Sequence, residues 1–536
     1  MKKVAALLFI IFAYCGAGAS VCACLPEGIT FSTQEQIDNF QTNYPGCSEI
    51  WGSVTINGGK NINNLAGLNM LTMIGESLLI SNNNALQNLA GLSNLYSIGG
   101  NLSVNNCSGL QNLTGMQNLV WVGGDFMISQ NQALSSLAAC SNLQTVEGSL
   151  GIIFNPVLTS LAGLDQLEAG SLSDMIIHDN SALASCDVES VCEYLGSPNG
   201  HVDIYNNAQG CRNPPEIANS CGFALSCLPY GDYYLCSQED VDNFMADYSD
   251  CSETNGIVKI SGNDITNLNG LNGITSVGFY LNIVQNPELT SLTGLESLHS
   301  VSGAVSIGYN PLLTSLTGLG NLASLDGYLS VYNNNELTSL SGLENLTSIG
   351  DMLEIISNEK LAGLAALNNL SSIGNSLWIR NNNNLTSLSG IDQLDSGSIT
   401  SLVIAFNSQL TTCEVESICN YLASPGGSVN IENNAPGCNS PGEVEAACEE
   451  VRVEDYLLNR NLRIYPNPVS GYIYIDTQTT ADNFELSIHD VSGRILINQQ
   501  FSGTLAAIDV HYLESGVYFV KMCNKQKILA AGFIKK

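Results

Sequence analysis

Positive charge is what this chain has least of. Its 536 residues carry 16 Lys and Arg against 49 Asp and Glu, a formal net charge of −33. From Cys22 to Asn459 the basic residues are Lys60, Arg212, Lys259, Lys360, Arg380 and Arg452. Such a surface repels phosphate backbones and anionic bilayers, so nucleic acid and an acidic membrane surface are excluded as partners. Histidine is scarce and scattered, at His178, His201, His299, His489 and His511. H-E-x-x-H, G-x-S-x-G, the P-loop and G-x-G-x-x-G are all missing. The acidic stretches contain no D-x-[DN]-x-[DN]-G calcium loop. No catalytic residue, metal or cofactor is therefore expected. Past the N-terminus there is no apolar run long enough to span a bilayer, so no transmembrane segment is expected.

What is present begins with an export signal. Lys2 and Lys3, the apolar run Val4 to Tyr14 and the small residues Ala17-Gly18-Ala19 read as a secretory signal peptide over residues 1–19. Phe12-Ala-Tyr-Cys15 is a poor lipoprotein box. The N-x-[ST] runs, such as Asn112-Leu-Thr and Asn345-Leu-Thr, arise from the repeat and are not read as glycan sites.

The dominant pattern is a phrase of 24 residues. It runs from Gly75 to Ile98, again from Gly99 and from Gly123, and returns at Gly278, Ser302, Asp326 and Gly350. A fixed period of this size marks stacked coils, none of which can bury its apolar face alone. Positions 4 and 6 are apolar, as in Leu78 and Ile80 or Leu377 and Ile379. That alternation predicts a short strand with one buried face. Position 9 is Asn in Asn83, Asn131, Asn155, Asn286, Asn310, Asn334, Asn358 and Asn382, where a side chain can bond backbone of its own coil and the next. Positions 12, 15, 18, 21 and 24 are apolar, as in Leu86, Leu89, Leu92, Leu95 and Ile98. Spacing by three suits 3₁₀ or extended corners. Stacked strands would form a parallel sheet with coils about 4.8 Å apart.

The phrase matches the leucine-rich-repeat pattern L-x-L-x-x-[N/C]-x-x-L. Over most of Cys24 to Cys448 it more closely resembles the receptor L domain. That resemblance implies mainly β architecture: two tandem right-handed, leucine-rich-repeat-like parallel β-solenoids. It says little of function, because one fold hosts many activities.

The solenoid occurs twice, over 20–221 and 227–448. Cys24-Leu-Pro with Gln36 to Phe40 opens one copy, and Cys227-Leu-Pro with Asp240 to Phe244 opens the other. Each then reaches a cysteine, Cys47 or Cys251, and closes on a matched set: Cys186, Cys192, Cys211 and Cys221, then Cys413, Cys419, Cys438 and Cys448. Cys47 to Cys251 is an offset of 204 and Cys186 to Cys413 one of 227, so the second copy has gained about one coil. Cysteine-bearing ends read as lids on the stack. Cys24 is expected to pair with Cys47 and Cys227 with Cys251, with pairing inside each closing set left open. Zinc is the rival reading, disfavoured by export and by the lack of CxxC pairs. Cys107 and Cys140, at coil positions 9 and 18, read as buried thiols. Cys22, Cys236 and Cys523 have no assignment. Val188 to Leu195 and Val415 to Leu422 read as short helices.

After a polar linker, 449–461, the composition changes. From Arg460 onward there are eight basic and six acidic residues. Tyr472-Ile-Tyr-Ile, Phe484 to Ile488, Arg494 to Ile497 and Val517 to Val520 are short alternating strands. They predict an immunoglobulin-like β-sandwich over 462–536. Ile464-Tyr-Pro466-Asn467-Pro468, Asp490-Val-Ser-Gly493-Arg, Leu513-Glu-Ser-Gly516-Val and the terminal Phe533-Ile-Lys535-Lys536 resemble the type IX secretion C-terminal sorting domain of Bacteroidota. The resemblance implies the type IX machinery and its sortase as partners. It also implies removal of the tail and display outside the cell. Pro466, Asn467, Pro468, Gly493, Gly516, Lys535 and Lys536 are the expected sorting signal.

Outward strand positions 3, 5 and 7 are mostly Ser, Asn, Gly and Tyr, and Asp125 and Glu354 read as lone surface acids. The second copy gathers large side chains at these positions, Tyr280, Tyr328, Tyr332, Trp378 and Arg380, and Tyr309 at position 8. The first copy has Ser77, Asn101, Ser103 and Ser149, with Phe154 the exception. Flat rings beside Asn and Ser suit a glycan or protein ligand, though stacked rings also stabilise a sheet. The expected function is non-catalytic recognition or adhesion at the cell surface. The alternatives are an extracellular polysaccharide-active enzyme, which would need clustered acids on one face, and a structural surface-layer component.

Overall fold

The computed structural model describes residues 23–457, 462–477, 483–491, 493–523 and 528–536. The expected signal peptide and Cys22 lie outside the described residues. The chain falls into two compact units, 1–337 with 341–351, and 338–340 with 352–536.

In the first unit the 24-residue phrase forms stacked coils. Strands Leu78–Ser81, Leu102–Asn105, Phe126–Ser129 and Leu150–Ile153 pair in parallel, each residue facing its counterpart one coil on. They belong to an eight-stranded sheet that runs from Ile29–Phe31 to Val202–Tyr205. Side chains at positions 4 and 6 point inward and are buried, as are Leu86, Leu89, Leu92, Leu95 and Ile98. Each buried leucine contributes about 1.5–3 kcal/mol, so every coil holds its neighbours by apolar contact. Short 3₁₀ turns such as Ala66–Leu68 and Ala90–Leu92 carry the spacing of three. A second parallel sheet joins two-residue strands at the end of the phrase, among them Met73–Ile74, Ser97–Ile98 and Trp121–Val122. Two residues are too few to show an alternation, so the sequence pattern does not reveal this sheet.

The position-9 amides form a ladder through the interior. The Asn155 amide group donates to Ile128 O at 2.9 Å, and its Oδ1 accepts from Asn131 N at 3.2 Å. Cys107 occupies one rung, its N–H donating to Asn131 Oδ1 at 3.0 Å. The residue before each rung is left-handed, with φ of 57° at Asn82 and 54° at Phe154 and Tyr309. The bend after the leucines is equally demanding. Gly115 has φ of 121°, and a Cβ there would meet Leu89 O at 1.8 Å, so only glycine fits.

The opening motifs lie on helices. Gln34–Asp38 starts with a capping box between Thr33 and Gln36, and Gln238–Asp247 starts at Ser237, whose hydroxyl accepts from Asp240 N. Six disulfides bond Cys24–Cys47, Cys186–Cys211, Cys192–Cys221, Cys227–Cys251, Cys413–Cys438 and Cys419–Cys448. The closing helices are Glu189–Gly196 and Glu416–Ala423. Cys107 and Cys140 are free and buried, and burial pushes the Cys140 thiol up to about 12.

One expectation needs correction. The closing cysteines of the first copy do not cover a bare end. Val202 bridges Gly231 in parallel, and the stack passes into Tyr233–Leu235 and onward through Val258–Ile260, Leu281–Val284, Val305–Gly308 and Leu329–Tyr332. An unpaired strand edge accepts another strand of the same kind, and the second copy supplies it.

In the second unit, Leu353–Ile356, Ser376–Arg380, Ser401–Ala405 and Ser428–Glu432 repeat the parallel register. The helix Pro441–Leu457 runs through most of the segment read as a polar linker, because its Glu and Ala residues favour helix. The tail consists of two antiparallel sheets. One is Arg463–Tyr465, Tyr472–Asp476 and Leu505–Asp509; the other is Ile495–Ser502, Asn483–Asp490, Gly516–Cys523 and Ile528–Lys535. They enclose Ile473, Ile475, Leu486, Ile488, Val520 and Phe533. Among the described residues no helix is long and apolar enough to cross a membrane.

Candidate functional site: the joint between the two copies

The joint is held by side chains from both copies. Tyr205 stacks on Tyr234 with ring centroids 3.9 Å apart, and His178 stacks on the other face of Tyr205 at 4.6 Å. Phe154 packs edge-on against His178 at 6.0 Å. Arg212 Nη1 lies 2.9 Å from a Glu239 carboxylate oxygen, and Asn213 donates to Asp240 Oδ1 at 2.6 Å. The His178, Tyr205 and Phe154 rings leave the strands near the corner after each coil, where Asp179 bonds both His178 (2.8 Å) and Asn206 (2.5 Å).

Beside this ring stack opens a groove of about 960 Å³. Tyr205 and Asn206 form one end of it, Tyr234, Cys236 and Lys259 its middle, and Gln285, Tyr309 and Asn333 its far wall. Tyr309 is 52% exposed, and Tyr332 packs edge-on against it at 5.4 Å. The Tyr332 ring in turn lies over Gly308, where a Cβ would come within 2.2 Å of a ring atom. The platform thus needs a residue without a side chain beneath it.

A cluster of ionisable groups lies on the same sheet face. Asp203 sits on Val202–Tyr205, one Oδ atom buried without a hydrogen-bond partner. Burial, then the charge of Asp232, pushes its carboxyl up to about 6, opposed by His201 and His178. Burial also raises Tyr205 to about 12, with Asp179 and Asp203 adding to it, and raises Tyr234. The Cys236 thiol rises to about 11 through burial and Asp240, so it is not a ready nucleophile. Asp174 and Asp232 have structural roles: they accept from His201 N at 2.9 Å and from Ile257 N at 2.7 Å. Asp125 binds Ser149 N in the same way at 2.9 Å. Among the described residues no group of three or more His, Cys, Asp or Glu is placed to hold a metal ion.

Of the side chains singled out on the second copy, Tyr309 and Tyr332 meet at this groove. Tyr280 and Tyr328 approach at 6.3 Å, with Phe279 against Tyr280 at 3.9 Å. Trp378 and Arg380 share the strand Ser376–Arg380 in the second unit, where Trp378 faces Glu354 and Val403 on flanking strands. Trp378 Nε1 and Arg380 Nε are buried without a partner. Sequence reasoning missed Asp203, His178, His201, Tyr205, Tyr234 and Lys259 as a group. Numbering the closing coil back from Asn207 as position 9 would have put Tyr205, Asp203 and His201 at the outward positions 7, 5 and 3.

The residues expected to form the sorting signal converge on one end of the tail. Asn467, between Pro466 and Pro468, accepts from Ile534 N at 2.9 Å, and Lys536 N donates to Val469 O at 2.8 Å. Gly516 faces Lys535 across two strands, and Lys535 is buried. Gly493 turns with φ of 81° after Asp490, which faces Tyr518 at that same end.

The comparisons with known proteins agree with this division. A search of curated proteins finds no match to the chain. Residues 46–113 match the family profile of the Receptor L domain, which suggests a binding role. Residues 463–536 match that of the Secretion system C-terminal sorting domain, and the protein is accordingly one that carries a type IX sorting tail, addressed to the outer cell surface or the extracellular space.

Proposed function

We propose that this is a non-catalytic recognition or adhesion protein displayed at the cell surface. Its coils bind the ligand, and its tail engages the type IX machinery and is then removed by that pathway's sortase. One observation carries this reading: the groove at the joint, lined by Tyr205, Tyr234 and Tyr309 with amide side chains and backed by a rigid stack. Concave sites with a few aromatic and polar groups on a rigid frame are typical of binding sites. The test compares cells with and without the protein on glycan- and protein-coated surfaces. Loss of attachment on deletion supports the reading, and equal attachment sinks it.

A second reading, hydrolysis of an exported polysaccharide, is favoured by Asp203. A buried carboxyl raised to about 6 suits a general acid. The backbone bonds of Asp174 and Asp232 speak against it, since they leave Asp203 without an equally free carboxylate partner. Release of reducing ends from polysaccharide, abolished by Asp203→Asn, would establish the enzyme.

A further inference from the structure

We infer that the groove at the joint binds a linear, uncharged glycan, and that only the two copies together form it. This rests on the recognition reading and names its ligand class.

Charge is the first argument. The chain as a whole carries −33, yet the groove lining holds one acid, Asp179, and one base, Lys259. The lining is therefore balanced, on a coil stack whose composition is otherwise strongly acidic. A charged ligand gains no complementary field there. A hydroxyl-rich ligand finds side-chain amides, each of which both donates and accepts.

Spacing is the second argument. Gln285, Tyr309 and Asn333 stand at the same position of three successive coils, all left-handed, with φ of 59°, 54° and 54°, as does Asn206 (57°) at the near end. Those three coils thus present one side chain each at the same corner. The coil rise of about 4.8 Å differs from the ~6.6 Å repeat of an extended peptide, whose side chains alternate. It is close to the length of one sugar ring in an extended chain. An extended polysaccharide can therefore place about one ring opposite each of these coils.

The third argument is the platform. Tyr309 is half exposed and braced by Tyr332, which suits stacking against the apolar face of a sugar ring. Tyr205 and Tyr234, from different copies, lock the near end. Neither copy alone carries all of these residues.

The test uses the purified full chain and calorimetric titration with cello-, laminari-, manno- and xylohexaose. Hexagalacturonate and a chitosan hexamer serve as anionic and cationic comparators. At least one neutral hexamer should bind more tightly than both charged ones. Tyr309→Asn keeps a residue type that this left-handed position accepts elsewhere in the stack, so it should leave the melting curve unchanged. It should weaken binding about three- to tenfold, the worth of one aromatic contact. Asn333→Asp, which adds charge without bulk, should weaken the neutral hexamer and strengthen the chitosan hexamer. If a neutral hexamer binds and neither variant changes it, the groove assignment is wrong while recognition stands. If a charged hexamer wins, or no hexamer binds although the displayed protein still attaches cells, the ligand class is wrong and recognition again stands. Failure of attachment itself removes both.

Discussion

The coil stack and the tail are both β-structures, and they cohere by different means. In the stack each strand pairs in parallel with the same phrase one coil away, and an amide column runs through the interior of the first copy. In the tail Asn483–Asp490 pairs antiparallel with Gly516–Cys523, and Val469 forms a parallel bridge with Lys535 of the C-terminal strand, from distant parts of the sequence. Among the described residues all six disulfides belong to the stack. The acidity belongs there too, while the tail is slightly basic. A repeat meets its needs by one local rule applied many times. A sandwich meets them once, through pairings that must all form together, which suits a separable address.

The comparison breaks most visibly if the tail is deleted. Removing 463–536 should abolish appearance of the stack outside the cell, read by protease accessibility of intact cells, and leave a folded stack inside the envelope. Undiminished surface exposure would show that the stack carries its own address. Reduction comes next. In scanning calorimetry of the full chain, dithiothreitol should lower the transition of the stack, at about 3 kcal/mol for each opened disulfide, and leave that of the tail in place. A tail transition that moves with it would mean the two do not unfold independently.

Asn155→Ala should cost about 3 kcal/mol in urea unfolding, because it strands the buried Asn131 N–H and Ile128 O of the neighbouring coil. Ser487→Ala in the tail removes a bond to His489 at 2.8 Å and should cost about 1 kcal/mol. Equal costs would mean that the ladder adds nothing by being continuous. The smallest effect concerns pH. The folded pKa of Asp203 lies above the ordinary carboxylate value, so its ionised form opposes folding above pH about 6, and the penalty fades as pH falls toward about 4. Asp203→Asn should therefore raise Tm at pH 8 and give no gain at pH 4. The reverse order would place Asp203 in a bonded, ionised state.

Much of this was legible in the residues, for reasons visible in particular columns. Leu78 and Ile80, with their counterparts one period on, mark a strand and its buried face. Asn83 and Asn131 mark the ladder, and the matched gaps around Cys186 and Cys413 mark two copies. The edge-to-edge joint was not legible, because Val202 and Gly231 share no motif. Nor was the groove. Tyr309 stood out in its column, but the near end of the groove comes from the irregular coils at the joint, where Asn180 and Asn207 are 27 apart and the period fails. The helix through Leu457 was obscured by polar composition, which linkers and exposed helices share.

By itself the sequence determined the coil, its inward faces, its amide column and the presence of a foreign tail. Each of these repeats or is local, and short-range sterics and apolar spacing suffice to specify it. Only the tertiary structure decided which cysteines pair within each closing set, that the two copies join, and that Asp203, Tyr205 and Tyr234 meet there. Those outcomes depend on which strand edge finds which, and distance along the chain does not encode distance in space.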